Sequence, residues 1–130
     1  MTKLRPASIP AKINNACLNA IEETKGDLGI ADTVDLLSNS LPLIIERKNM
    51  INLALQESDL DRASLYAHKT LGSIRIYGTE KLESLLNRLK DKQLDERGSN
   101  DFHLKDELSV EFDSVTFTIN EWLSLNRKAS

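Results

Sequence analysis

The sequence predicts an all-α fold, an antiparallel four-helix bundle with additional short amino-terminal helical segments, and three observations carry that prediction. Apolar residues recur at intervals of three and four along most of the 130 residues, the spacing of one helical face. Only 5 glycines and 3 prolines punctuate the chain, and Pro6 and Pro10 both fall near its start, which leaves room for long uninterrupted helices. No internal repeat, low-complexity tract or linker separates the periodic segments, so they are expected to pack on one another through short connections. Residues 11–128 therefore read as one helical bundle domain and residues 1–10 as a flexible amino-terminal segment.

The first helix shows in Ile13, Ala16, Cys17, Ala20 and Ile21, and Gly26 and Gly29 end it. Val34, Leu37, Leu41, Ile44, Ile45, Ile51 and Leu55 continue the spacing. Pro42 sits where a helix starts or kinks, so this stretch reads as one bent helix or two abutting ones. Ser58-Asp59 offers an N-cap, after which Leu60, Ala63, Ala67, Thr70 and Ile74 line one side of a helix expected to run to Gly78. Thr79 caps the next helix, whose stripe is Leu82, Leu85, Leu86 and Leu89, a run too short for a zipper and suited to a core. A polar stretch from Lys90 to Asn100 reads as a solvated helix end and a loop. In the last segment Val110, Phe112, Val115, Phe117 and Ile119 include alternating β-prone residues, while Leu104, Leu108, Val115, Ile119 and Leu123 fit a helix. Helix is the expectation, with Trp122 at the edge of the packing.

Composition narrows the function. Apolar residues make up 40% and charged residues 28% of the chain, which fits a soluble globular domain. Twenty acidic against 17 basic residues leave a net charge of -3, without the basic excess that neutralises a phosphate backbone, so nucleic acid is not an expected partner. Cys17 is the only cysteine, and no apolar run approaches the roughly 20 residues of a spanning helix. Met1–Pro10 carries Lys3 and Arg5 but no apolar stretch after them, so nothing in it reads as a secretory signal. A cytoplasmic location with no direct membrane insertion is the expectation.

The Walker A, GxGxxG, GxSxG and HExxH patterns are absent, as are zinc spacings of Cys and His. Two histidines remain, and His103, near a helix start, reads as solvated. At about 100° per residue, His68 projects about 120° from the Ala63, Ala67 and Ile74 side of its helix and faces water. Leu65, Lys69, Gly72 and Ile76 share that outer face at three and four residue spacings. A glycine inside an exposed helix costs about 0.5 to 1 kcal/mol relative to alanine, so Gly72 calls for a reason. Clearance for a partner over the imidazole is one, and close packing of two helices is the other. A free imidazole titrates near pH ~6.5, so its nucleophilic form is abundant at neutral pH. Lys69 and Arg75 are cations placed to support a phosphoryl group there, or else ordinary solvated charges.

The string Ala67-His68-Lys69-Thr70-Leu71-Gly72-Ser73, with Gly78 after it, resembles the signature of histidine-containing phosphotransfer (HPt) domains, roughly A-H-x-[LI]-K-G-[SA]. The resemblance covers about residues 27–92, and the flanking helices match loosely. It implies that His68 accepts a phosphoryl group from the aspartate of one receiver domain and passes it to another, with Leu65, Gly72 and Ile76 as the docking surface. It also implies that the domain is no enzyme with an ATP site of its own, and needs no cofactor because the receiver supplies Mg2+. The isolated domain would be a monomer, part of a hybrid sensor kinase or a separate phosphorelay protein, with residues 1–10 a linker remnant. One departure stands out. The family's lysine three residues after the histidine is replaced by Leu71, and its role passes to Lys69 or Arg75. Two other readings stay open on the residues: a non-catalytic helical interaction module built on Leu65 and Ile76, and, ranked last, metal-assisted hydrolysis by His68 with Asp61.

Overall fold

Three side-chain caps start helices, and two of them, Asp59 and Thr79, are where the sequence places them. Asn14 Oδ1 accepts from the Cys17 amide at 3.1 Å, Asp59 Oδ1 from the Arg62 amide at 3.1 Å, and Thr79 Oγ1 from the Leu82 amide at 2.9 Å, each satisfying a donor the helix itself leaves open. The structure, a computed structural model, describes residues 12–91 and 100–127. Among them are α1 (Asn15–Leu28), α2 (Ile30–Gln56), α3 (Leu60–Leu71), a short 3-10 helix (Ile74–Ile76), α4 (Glu80–Lys90) and α5 (Asn100–Arg127), and no strand. The expected flexible segment 1–10 and most of the polar stretch after Lys90 lie outside the described residues.

Gly29 alone joins α1 to α2, and it does so at φ +87°, a left-handed conformation that glycine adopts without steric cost. Pro42 neither starts nor divides a helix: α2 runs through it as one element of 27 residues. An internal proline costs about 3 kcal/mol, and burial of Leu37, Ile44 and Ile51 on the same helix offsets it at about 1.5 to 3 kcal/mol per side chain. At its other end α2 closes with the Ser58 amide on the Leu55 carbonyl at 3.1 Å and the Asp59 amide on the Ala54 carbonyl at 2.8 Å. Ser58 takes φ +58° to make that turn, a left-handed bend that helices ending this way usually give to glycine.

The expectation that α3 continues to Gly78 is overturned. The helix ends at Leu71; the amides of Gly72 and Ser73 turn back to the Lys69 and Thr70 carbonyls at 3.3 and 3.1 Å, and Ile74–Ile76 tightens into a 3-10 turn. The last segment is helical, and Val110 shows why. A strand would place Val110 and Phe112 on one face, whereas Val110 is 64% exposed and Phe112 only 1%. Trp122 is buried rather than at an edge, its indole N–H donating to Glu22 Oε2 at 2.9 Å.

Helix α2 packs on α3 and α5, and α4 also packs on α3 and α5, while α1 lies against α2 and α5. Asn52 bonds Ser109, Lys48 bonds Asp113 and Arg127 bonds Ser38, so α5 runs antiparallel to α2. Asn14 meets Ser114 and Thr118, and Glu22 meets Trp122, so α5 runs parallel to α1. The core is filled by Ile21, Leu37, Ile51, Leu86, Phe112 and Ile119, among others. Within it, Glu111 Oε2 accepts from Thr79 Oγ1 at 2.6 Å and from Asn14 Nδ2 at 3.1 Å, tying the starts of α1 and α4 to the middle of α5. Cys17 is a buried free thiol. Among the described residues no helix is long and apolar enough to cross a membrane.

Candidate functional site

Helix α3 fully buries only small residues, Ala63, Ala67 and Thr70, so it lies close on its neighbours, with Tyr66 and Leu71 half-buried beside them. Ser64 Oγ donates to the Lys90 carbonyl at 2.6 Å, which sets the end of α4 against the middle of α3. Thr70 Oγ1 donates to the Tyr66 carbonyl at 2.7 Å, hiding its hydroxyl inside the helix. His68 comes out exposed on the last turn, with no hydrogen-bond or ion-pair partner among the described residues. His103 lies in the first turns of α5, and its side chain is outside the described residues.

Gly72 is exposed, and a Cβ built on it would meet only the Lys69 carbonyl oxygen, at 3.3 Å. It is therefore not a glycine that lets two helices touch. Gly78 is the close-contact glycine: a Cβ there would collide with Ile74 Cγ1 and lie 2.6 Å from the Ile74 carbonyl oxygen. The signature's two glycines thus have different physical causes.

His68 lines a shallow groove with Gly72 and Arg75 on one side and Glu83, Asn87 and Lys90 of α4 on the other. Arg75 is exposed, and Lys90 Nζ lies 3.9 Å from Asp91 Oδ1. Two cations and one carboxylate thus line the groove that His68 shares. Lys69 is not among the groove's walls. It lines a separate cleft towards α2, with its ammonium 5.6 Å from the centre of the Tyr66 ring, so of the two expected supporting cations the structure brings only Arg75 to His68.

Leu65 is 50% exposed, on the face expected. Ile76 does not share that face: α3 ends before it, and Ile76 is half-buried against the core, its carbonyl accepting from Thr24 Oγ1 at 3.3 Å. Leu71 is half-buried against the core as well. Glu83, Asn87 and Lys90 are the α4 residues of the groove that sequence reasoning missed. They recur at four and three beside the leucine stripe of α4, a pattern visible in sequence, but which neighbour they face depends on the α3–α4 register. Among the described residues no group of three or more His, Cys, Asp or Glu side chains could hold a metal ion. Comparisons with family models, with curated proteins and with solved structures found no match to this chain.

Proposed function

We propose that the chain is a histidine phosphotransfer protein of a two-component phosphorelay, with His68 as the residue that carries the phosphoryl group. The observation that carries this reading is an exposed imidazole on the last turn of α3, without a partner among the described residues, in a groove with Arg75 and Lys90 and one turn before an open Gly72. In the first step the distal ring nitrogen of neutral His68 attacks the phosphorus of a receiver's aspartyl phosphate in line. An N–P bond forms, the acyl P–O bond breaks, and the aspartate leaves as carboxylate. The reverse step on a second receiver returns the imidazole. Such a transfer rests on positioning and on cations near the equatorial oxygens. Arg75 and Lys90 are the groups available, where the family's usual lysine is Leu71.

In this reading α2 to α5 form an antiparallel four-helix bundle with α1 on its outside. The protein acts in the cytoplasm as a monomer that hydrolyses nothing itself, and the receiver that docks on it brings the Mg2+ ion. Leu65 and the bare surface over Gly72 form the docking face. The decisive experiment offers the purified chain a phosphorylated receiver or a small phosphoramidate. Acid-labile, base-stable phosphate is expected on the protein and none on His68→Gln; no phosphate from several donors, or phosphate retained by His68→Gln, would sink the reading. Gly72→Gln is expected to keep the fold and lose transfer from the receiver.

A second reading, a helical interaction module without chemistry, is favoured by the half-exposed Leu65 beside the groove. It predicts that His68→Gln keeps both partner and function.

A further inference from the structure

On the far flank of Gly72 from His68, a cleft opens between α2 and the end of α3. Arg47 and Lys69 supply its charge, Ser40, Ser73 and Tyr77 its hydroxyls, and no carboxylate lines it. That composition is unusual for a chain with 20 acidic against 17 basic residues. Neither Arg47 nor Lys69 forms an ion pair among the described residues, and Lys69 rests only on the Tyr66 ring.

The hydroxyls can release a proton to a ligand. Ser73 Oγ donates to the Thr70 carbonyl at 3.3 Å and lies 3.1 Å from Tyr77 Oη, so two hydroxyl protons serve two bonds. The Thr70 carbonyl also accepts from the Ser73 amide at 3.1 Å, so Ser73 Oγ can turn to donate to Tyr77 Oη, which leaves the Tyr77 proton for an incoming oxygen. Burial pushes the Tyr77 phenol above its ordinary value, with the Ser73 hydrogen bond and the Arg47 charge acting the other way, so at neutral pH Tyr77 keeps its proton as a donor.

We propose that this cleft is an anion site separate from His68, taking a phosphate-sized oxyanion on Arg47, Lys69 and the Ser73–Tyr77 hydroxyl pair. An arginine, a lysine and a hydroxyl pair lining one cleft offer more donors than a single carboxylate accepts and match the several oxygens of a tetrahedral group. The apolar wall of Leu43 and Ile44 sits where the ester substituent of a phosphate monoester would rest. The site stands whether or not His68 carries phosphate, since none of its donors is His68.

The test is a titration of the whole chain with inorganic phosphate, and in parallel with phenyl phosphate, followed by amide NMR at an ionic strength held constant with chloride. Saturable shifts are expected at Lys69, Gly72, Ser73 and Tyr77. Binding should weaken at least roughly tenfold in Arg47→Gln/Lys69→Gln, because charge-assisted hydrogen bonds contribute most of the affinity for an oxyanion. Tyr77→Phe keeps the buried ring, removes only the hydroxyl, and should also bind more weakly. His68→Gln should bind as the parent does. Tighter binding of phenyl phosphate supports a monoester as the ligand, and equal binding supports free phosphate. Shifts that never saturate, affinity unchanged in both cleft variants, or binding lost in His68→Gln would overturn the proposal.

Discussion

Gly72 and Gly78 lie six residues apart, and a methyl group at each has opposite consequences. At Gly78 it would collide with the Ile74 side chain and carbonyl oxygen, and crowding of that kind costs about 1 to 3 kcal/mol. At Gly72 it meets one carbonyl oxygen at 3.3 Å, and the helical preference of alanine offsets the squeeze, so the net change stays within about 1 kcal/mol. Urea denaturation of Gly78→Ala and Gly72→Ala should therefore separate them clearly, and equal midpoints would refute the packing difference. Cys17 carries a second prediction. Burial, with the Glu111 charge adding to it, pushes its thiol from 9.0 up to about 12. The folded state thus binds the thiol proton more tightly than the unfolded one, and stability is lost as pH rises from about 9 towards 12. Cys17→Ala should flatten that alkaline loss, and the native thiol should resist disulfide reagents at pH 8.

At the scale of the element, the informative turn is the one between α2 and α3. Ser58 adopts a left-handed conformation that costs a non-glycine residue roughly 1 to 2 kcal/mol. Ser58→Gly should therefore stabilise the protein by up to about 1 kcal/mol, once the extra freedom of glycine in the unfolded chain is subtracted; a lower melting temperature would show that the serine hydroxyl contributes more than its backbone costs. The caps at Asp59 and Thr79 and the stripes of α1, α4 and α5 were legible because each depends on residues within one or two turns. The end of α3 was not. Leu71, Gly72 and Ile74 continue an apolar spacing, and only the backward turn of two amides at Gly72 and Ser73 breaks it. That break is what removed Ile76 from the face of Leu65. His68 and its exposure were readable from angular position alone, whereas Lys90 and Asn87 came to the groove through the Ser64–Lys90 contact, which no local pattern encodes. The separation of Lys69 from Arg75 has the same origin, because these two residues, six positions apart, fall on different sides once the helix between them ends at Leu71.

Over the whole molecule, α1 is held by contacts to α5, among them Trp122 on Glu22. Hydrogen bonds from Lys25 and then from Trp122 hold the Glu22 carboxyl below its ordinary value of 4.5. This contribution is present above that value and fades as the pH falls through the lower folded-state value. Because the single tryptophan sits where α1 meets α5, its fluorescence reports whether that contact is made. Fluorescence and far-ultraviolet circular dichroism should lose signal at the same urea concentration if α1 unfolds with the rest. A fluorescence change that precedes the loss of helicity would show α1 to be a separately melting element.

The pairing of α1 with α5 also orders events during synthesis. Asn14 bonds Thr118, a partner 104 positions further along the chain, and at a ribosomal rate of roughly 5 to 20 residues per second that partner is made roughly 5 to 20 s later. Through that interval the apolar stripe of Cys17 and Ile21 has no α5 to cover it, while α2, α3 and α4 have already been made in sequence. Of the described helices α1 is thus made first, and although α2 can pack on it early, its cover is complete only once α5 follows, so the newborn chain depends on that delay passing without another surface taking the place of α5.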